Sequence, residues 1–280
     1  MENSRDNAKG ILILAIFLTG IGLIAIFGSS SMKGAQQFND SLFFLRKQAT
    51  YAGVGFFVIW ILQRIPFRWI EVATLPVLVG TLALLALIFV PGMYREVGGA
   101  QRWLTFGGFS GQPAELAKLA LVLFLAKSLA RPSNDIRTFS TGILPNLIAV
   151  SAIGGLLLFQ RDLGTPVLLT TVTLCLLFAA GLAKRYLAFL AILAGSAATM
   201  AIVLEPFRVS RLLSFVDPWD HFRTGGFQII QSFLAFKNGG LLGVGLGESK
   251  QKLFFLPAAE TDFILSVIGE ELGLLGVLLV

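Results

Sequence analysis

The residues best placed to do chemistry are charged side chains inside or beside apolar stretches. Ionisable residues are costly in lipid, so such positions are candidate functional sites. They are Glu115 and Lys118, Asp162 within Gln160-Arg161-Asp162, Asp262, and the adjacent Glu270 and Glu271. A carboxylate can take a proton from a hydroxyl, and ammonium or guanidinium groups can bind phosphate. The set therefore indicates proton transfer or anion binding beside an apolar phase.

Asp262 has two interpretations that its position leaves open. Thr261-Asp262 before Phe-Ile-Leu is typical of a helix N-cap, which spacing alone favours. Asp262 also ends an aromatic, glycine-rich and basic segment at the edge of an apolar block. A carboxylate in that setting suits a general base acting on a polar, lipid-anchored substrate.

The other carboxylates also have structural interpretations. Glu115 and Lys118 are three residues apart and so share a helix face. They either shape a polar cavity away from water or stabilise the start of their helix. Asp162 can cap the helix that follows its turn. For Glu270 and Glu271, a structural ion pair and a catalytic role both stay open.

Basic residues after Glu205 offer anion contacts. They are Arg208, Arg211, Lys237, Lys250 and Lys252. Such side chains bind phosphate by charge, or bidentately for arginine, and they also meet anionic lipid headgroups. With one Cys and one His, the chain cannot have a disulfide framework, and a Cys/His metal centre is not expected.

Composition places these side chains in a membrane protein. Of 280 residues, 55% are hydrophobic and 14% are charged, and the mean hydropathy is +0.81. A soluble globular domain has about 25% charged residues. The net charge of +6 comes from Lys and Arg that fall mostly between apolar blocks. This pattern fits a membrane surface better than a nucleic acid, and no nucleic-acid partner is expected.

Eight apolar blocks have the length expected of membrane spans, the second with help from flanking basic residues that snorkel. They are Ile11–Gly28, Thr50–Leu62, Val72–Val90, Pro113–Ala130, Ile143–Phe159, Thr165–Ala183, Tyr186–Leu204 and Phe263–Val280. The sequence stops inside the last block, so we expect further spans beyond Val280.

The distribution of basic residues predicts a cytoplasmic N-terminus. Nine Lys or Arg then lie inside, at Arg5, Lys9, Arg64, Arg68, Lys127, Arg131, Arg137, Lys184 and Arg185. Six lie in the short outer loops, at Lys33, Arg46, Lys47, Arg95, Arg102 and Arg161. The long segment Glu205–Asp262 follows the seventh span and is predicted outside, folded as short helices or re-entrant pieces.

Taken in order, the polar motifs resemble the SEDS family of membrane proteins over nearly the whole chain. Gly99-Ala100-Gln101-Arg102-Trp103 and Gln112-Pro113-Ala114-Glu115-Leu116-Ala117-Lys118 resemble its GA-x-RW and QPSE-x-x-K segments, and Gln160 to Thr165 resembles its QPDLGT turn. Seven further motifs follow in family order: Asp217-Pro218-Trp219, Gly226-Phe227-Gln228, Gln231-Ser232, the glycines 239–247, Gln251-Lys252-Leu253, Thr261-Asp262-Phe263 and Gly269-Glu270-Glu271. Asp217-Pro218-Trp219 and Ser249-Lys-Gln251-Lys252-Leu253 are more similar to the FtsW branch than to RodA.

The resemblance implies an all-α, polytopic integral membrane protein, with about eight of ten expected transmembrane helices and a long extracytoplasmic loop between helices 7 and 8. Residues 1–280 would form a single SEDS-type membrane domain, truncated at the C-terminus. The implied activity is a peptidoglycan glycosyltransferase in the bacterial cytoplasmic membrane. It would polymerise lipid II, an undecaprenyl-pyrophosphate disaccharide-pentapeptide, on the outer face during cell division. The implied partners are a class B penicillin-binding protein transpeptidase and other divisome membrane proteins.

Within that resemblance, Asp262 matches the catalytic position. The expected substrate-binding or cavity residues are Arg102, Trp103, Glu115, Lys118, Asp162, Arg208, Arg211, Gln231, Lys252, Glu270 and Glu271. A divalent cation, magnesium or manganese, would suit a pyrophosphate leaving group, although the sequence identifies no ligands for it.

This chain departs from the family pattern at four positions, and two other function classes stay open. Arg161 replaces the usual Pro, Ala114 the usual Ser, Ala258 the usual Glu and Glu260 the usual His. A buried polar cavity also suits a flippase that transports lipid II. A non-catalytic divisome scaffold is the third class.

Overall fold

The computed structural model describes residues 2–97, 100–106, 109–131, 136, 138–253 and 255–280. Gly99 of the first motif and Arg137 of the charge count lie outside the described residues. The chain divides into two compact units, each described by itself below: Ile65–Glu205, and Met1–Arg64 with Pro206–Val280. The expectation of a single membrane domain over 1–280 stays a prediction.

Unit Ile65–Glu205 is a group of five helices with a small sheet. The helices are α3 (Phe67–Leu87), α4 (Pro113–Leu129), α5 (Leu144–Phe159), α6 (Gly164–Ala179) and α7 (Lys184–Val203), and a π-helical turn (Phe139–Ile143) leads into α5. Fully buried leucine and isoleucine side chains of α3, α4 and α5 form its main core, among them Leu85, Leu121 and Ile153. Pro113 begins α4, where its missing N–H costs nothing.

A three-stranded antiparallel sheet precedes α4, and the sequence analysis missed it. Its strands β1 (Tyr94–Val97), β2 (Ala100–Phe106) and β3 (Phe109–Gly111) pair in sequence order. Glycine pairs separate the strands in the sequence, a composition typical of hairpin turns. The strands are short and lie between long apolar blocks, so their alternation is a weak signal. The sheet places Arg102 on β2.

The other unit begins with α1 (Glu2–Phe38) and α2 (Phe43–Leu62) and resumes with α8 (Pro206–Val216). A π-helical turn (Phe222–Gly226), α9 (Phe227–Gly239) and α10 (Ile264–Leu279) follow. The segment Glu205–Asp262 is therefore folded and contains short helices, as predicted. Between α9 and α10 the chain runs through successive turns.

Helix α10 bends at Gly273, whose φ of +68° is not helical. The bend lets the chain at Gly243 approach closely, because a Cβ on Gly273 would lie 2.4 Å from the Gly243 nitrogen. A Cβ on Gly243 would in turn lie 2.1 Å from the Glu271 carbonyl oxygen. These glycines allow the loop after α9 to pack against the backbone of α10.

Eight apolar helices match the eight predicted spans. Helix α1 extends beyond its predicted span by nine residues at the start and ten at the end, α2 begins seven residues early, and the other boundaries lie within five residues. Four are long and apolar enough to cross a membrane by length and composition alone: Lys9–Phe38, Phe67–Leu87, Phe139–Phe159 and Lys184–Val203. Large apolar side chains such as Ile13 and Phe189 are left uncovered by the chain, as lipid-facing residues are. The protein is a polytopic, multi-pass helical membrane protein.

Candidate functional site

Arg102 and Asp162 meet within unit Ile65–Glu205. The Arg102 Nη2 group donates to the Arg161 carbonyl at 2.6 Å and lies 4.0 Å from Asp162 Oδ1. The contact joins β2 to the turn between α5 and α6. Trp103, the next residue of β2, is exposed. Two predicted cavity residues, 60 positions apart in sequence, are thus neighbours.

Asp162 also caps α6, which confirms the capping interpretation. Its Oδ1 accepts from the Thr165 backbone N–H at 3.3 Å, and its Oδ2 accepts from the Thr165 hydroxyl at 2.7 Å. Arg161 has a φ of +59°. Proline is fixed near φ −65°, so this turn differs from one built on the usual family proline.

Glu115 and Lys118 form the predicted pair, with 2.8 Å between Lys118 Nζ and Glu115 Oε2. The chain itself does not bury this pair, because the side chains of Glu115 and Lys118 are 66% and 37% exposed. Helical periodicity explains this, because Ala114, Ala117 and Leu121 take the core-facing positions of α4. The pair lies beside these positions, with Glu115 exposed and Lys118 half-buried.

The Glu115–Lys118 coupling is therefore expected to be small, about 0.2–0.5 kcal/mol, as for exposed pairs three residues apart on a helix. A double-mutant cycle with Glu115→Gln and Lys118→Met, read by thermal unfolding in detergent, measures it. A coupling above about 1 kcal/mol would contradict this assignment and show that the pair is desolvated in the assembled protein.

Glu270 fixes the loop that precedes Asp262. Its side chain is almost fully buried in the first half of α10. One carboxylate oxygen accepts from the Asn238 amide at 3.1 Å. The other accepts from the Ser249 hydroxyl and from the Gln251 backbone N–H. Three donors from α9 and the loop thus converge on one carboxylate, which gives Glu270 a structural role.

Glu271 makes a buried ion pair with Lys252. The Lys252 ammonium lies 2.8 Å from Glu271 Oε1, and both side chains are less than 10% exposed. The Val244 and Gly245 backbone N–H groups donate to the carbonyls of Glu270 and Glu271. Of the two interpretations for these adjacent carboxylates, the structural ion pair matches the geometry.

Asp262 lies beyond this anchored loop, two residues before α10. Its side chain is exposed, and the helix starts after Phe263 without a side-chain cap. Within the described chain, Asp262 has no hydrogen bond or ion pair from its carboxylate. The N-cap interpretation is therefore wrong for this residue, and its carboxylate stays available to a ligand.

Lys33 of α1 and Glu260 hold the chain next to Asp262. The Lys33 ammonium donates to the Glu260 carboxylate in a partly buried ion pair. The SEDS resemblance implies a His at this position, where this chain has the paired Glu260. The sequence analysis placed Lys33 in a short outer loop and gave it no role at the site, whereas the structure places it within α1.

The remaining predicted residues lie on other helices. Arg208 and Arg211 belong to α8, and Gln231 belongs to α9. The Arg211 guanidinium lies 5.2 Å from the centre of the Phe207 ring. No described hydrogen bond or ion pair joins these side chains to Asp262, so their assignment to substrate binding stays a prediction.

Among the described residues, no group of three or more His, Cys, Asp or Glu side chains could hold a metal ion.

A family model described as "Cell cycle protein", which covers FtsW, RodA and SpoVE, matches residues 9–280. The chain belongs to this family.

Among curated members of the FtsW/RodA/SpoVE family, proteins named "Probable peptidoglycan glycosyltransferase FtsW" are similar to this chain. The one from Geobacter metallireducens is 43% identical over 96% of this chain and 72% of its own length. The one from Geobacter sulfurreducens strain KN400 is 44% identical over 95% and 72%. "Stage V sporulation protein E" of Bacillus subtilis is 34% identical over 95% and 73%.

Solved structures of the FtsW/RodA/SpoVE family share this fold. A chain described under "Structural coordination of polymerization and crosslinking by a peptidoglycan synthase complex" is 30% identical with a TM-score of 0.66, over 92% of this chain and 71% of that chain. A point mutant of the rod shape determining protein RodA of Thermus thermophilus has a TM-score of 0.64 over 96% and 68%. At 24% identity, that second likeness shows the fold alone.

Proposed function

We propose that this chain is a peptidoglycan glycosyltransferase of the FtsW type, which polymerises lipid II on the outer face of the cytoplasmic membrane during cell division. The relatives of 43–44% identity carry the name of that activity. The observation that carries the proposal is the state of Asp262. Its carboxylate is exposed and uncapped, while Glu260, two residues before it, is ion-paired with Lys33. An unpaired carboxylate next to an anchored residue suits a general base.

In the proposed reaction, a sugar 4-hydroxyl attacks the anomeric carbon of a lipid-pyrophosphate-linked sugar. The new bond forms from the hydroxyl oxygen to that carbon, the bond from carbon to the pyrophosphate oxygen breaks, and the configuration inverts. Asp262 takes the proton of the attacking hydroxyl. Negative charge grows on the departing pyrophosphate, where basic side chains such as Arg208 and Arg211 stabilise it.

We include a divalent cation in the proposal only as an ion that binds together with the pyrophosphate of the substrate. Magnesium often binds through one or two carboxylates together with substrate phosphates. The described residues hold no metal-binding group of three or more His, Cys, Asp or Glu side chains, so such an ion would take most of its ligands from the pyrophosphate. The steps proposed above use protein side chains alone.

The proposed partners are lipid II and a class B penicillin-binding protein transpeptidase, with other divisome membrane proteins. A related structure is described as coordinating polymerisation and crosslinking in a synthase complex, which supports a crosslinking partner.

A cysteine placed at Glu248 or Lys250 is expected to react with an impermeant thiol reagent on intact cells, because the proposed topology puts this loop outside. Both residues are exposed. Cys175 is also exposed and must first be replaced by serine. A cysteine at Lys184, at the start of α7, is the matched control and is expected to label only in opened cells. The reverse pattern at the two sites would overturn the orientation.

Reconstitution into liposomes with fluorescent lipid II tests the proposal against transport. We expect the purified protein with its transpeptidase partner to convert lipid II into glycan chains. Transfer of intact lipid II between leaflets without polymer would instead identify a flippase. If neither polymer nor transfer appears, the scaffold interpretation replaces the proposal.

A further inference from the structure

A cavity of about 420 Å³ lies at the end of α4, and the proposed reaction does not use it. Helix α4 has 17 residues, so at about 1.5 Å per residue the cavity is roughly 25 Å from the start of the helix near Glu115. The cavity and the sheet are therefore at opposite ends of α4. This separation makes it a second site, distinct from Arg102 and Asp162.

The described residues that line this cavity include two cations and no acidic side chain. Lys127 lies in the last turn of α4, Arg131 follows the C-cap residue Ala130, and both line the cavity. The Lys127 ammonium donates one bond to the Glu71 carbonyl, which orients it and leaves two further N–H donors. Arg131 is exposed and has no hydrogen bond or ion pair within the described chain.

Hydroxyl-bearing residues line the other walls of the cavity. Ser140 and Thr141 belong to the π-helical turn before α5. Thr74 belongs to α3, and its hydroxyl already donates to the Ile70 carbonyl. Phe124 adds an apolar wall. Ammonium, guanidinium and hydroxyl donors around one space are the set that binds phosphate oxygens, with arginine able to bind two at once.

We propose that this cavity binds a phosphate-bearing anion. In either form of the ligand, phosphate oxygens accept hydrogen bonds from Lys127 and Arg131 and from the hydroxyls of Ser140 and Thr141. The phosphate can belong to an anionic phospholipid headgroup or to free phosphate. Basic residues at a membrane surface attract anionic headgroups by about 1 kcal/mol each.

The test is the binding of short-chain phosphatidylglycerol to the purified protein in neutral detergent. Binding is measured as the rise in thermal unfolding temperature. Inorganic phosphate is the second probe, and diacylglycerol of the same chain length is the phosphate-free control. We expect Lys127→Gln/Arg131→Gln to weaken phosphatidylglycerol binding roughly 30-fold, the sum of two such attractions. Arg131→Gln alone keeps the Lys127–Glu71 bond and is expected to weaken it about fivefold.

The basic pair at the start of α7 supplies the matched control, because Lys184 and Arg185 do not line the cavity. Lys184→Gln/Arg185→Gln is expected to bind phosphatidylglycerol as the wild type does. If millimolar phosphate competes with phosphatidylglycerol, the site is supported and free phosphate is a ligand. If phosphatidylglycerol binds and inorganic phosphate does not compete, the site is supported and the lipid headgroup is the ligand. Equal binding by the wild type and the Lys127/Arg131 variants, or by the lipid with and without phosphate, would overturn the proposal.

Discussion

Asp262→Asn is expected to lower the rate of lipid II polymerisation by about 10²–10⁴-fold, the usual effect of removing a general base. Asparagine is nearly the same size but cannot usefully take a proton from a hydroxyl. Asp262 makes no cap bond and is exposed, so the substitution is expected to change stability by no more than about 0.5 kcal/mol. Polymerisation of purified lipid II and thermal unfolding of the same preparation measure the two effects.

Glu248→Gln is the matched control for this experiment. Glu248 is an exposed carboxylate in the same loop, and the proposed reaction gives it no role. The variant is expected to polymerise at the wild-type rate. If both variants lose activity equally, the loss reflects the charge of the loop, and Asp262 is not the base.

Lys252→Met is expected to destabilise the protein by about 3–5 kcal/mol, because it leaves the Glu271 carboxylate buried without its partner. The Glu271 side chain is only 9% exposed and cannot reach water without moving α10 or the loop. Thermal unfolding in detergent measures the loss. A change below about 1 kcal/mol would show that the pair is hydrated and contributes as surface pairs do.

The double variant Lys252→Met/Glu271→Leu separates a structural from a substrate-binding role. Replacing a buried ion pair by apolar residues of similar volume is often neutral for stability. We therefore expect most of the lost stability to return, and polymerisation with it. Restored stability without polymerisation would show that Lys252 or Glu271 contacts the substrate.

The length of the apolar blocks predicted the apolar helices well, because apolar length is a direct physical requirement of the bilayer. The role of Asp162 as a helix cap was also predicted from the sequence, since an aspartate just before a helix commonly accepts a hydrogen bond from the first turn. The same rule failed at Asp262, where the chain turns through Ala258 at φ +55° and the helix starts after Phe263. Sequence spacing alone does not show such a turn.

The contacts around Glu270 and Glu271 depend on long-range packing that the sequence does not display. Asn238, Ser249 and Gln251 are 32, 21 and 19 residues away from Glu270. Their convergence requires the bend at Gly273 and the close approach at Gly243. The same limit applies to Glu115 and Lys118, because three-residue spacing identifies a shared helix face but not what covers that face.

Polymerisation in detergent micelles is the most direct test of the central claim, because a micelle has no second leaflet to which a transporter could move its substrate. Purified protein and its transpeptidase partner, with transpeptidation blocked, are incubated with labelled lipid II, and the products are separated by length. A ladder of glycan chains that is absent with Asp262→Asn and present with Glu248→Gln is the result predicted here. Unchanged lipid II with the wild-type protein, or an equal ladder with Asp262→Asn, would contradict it.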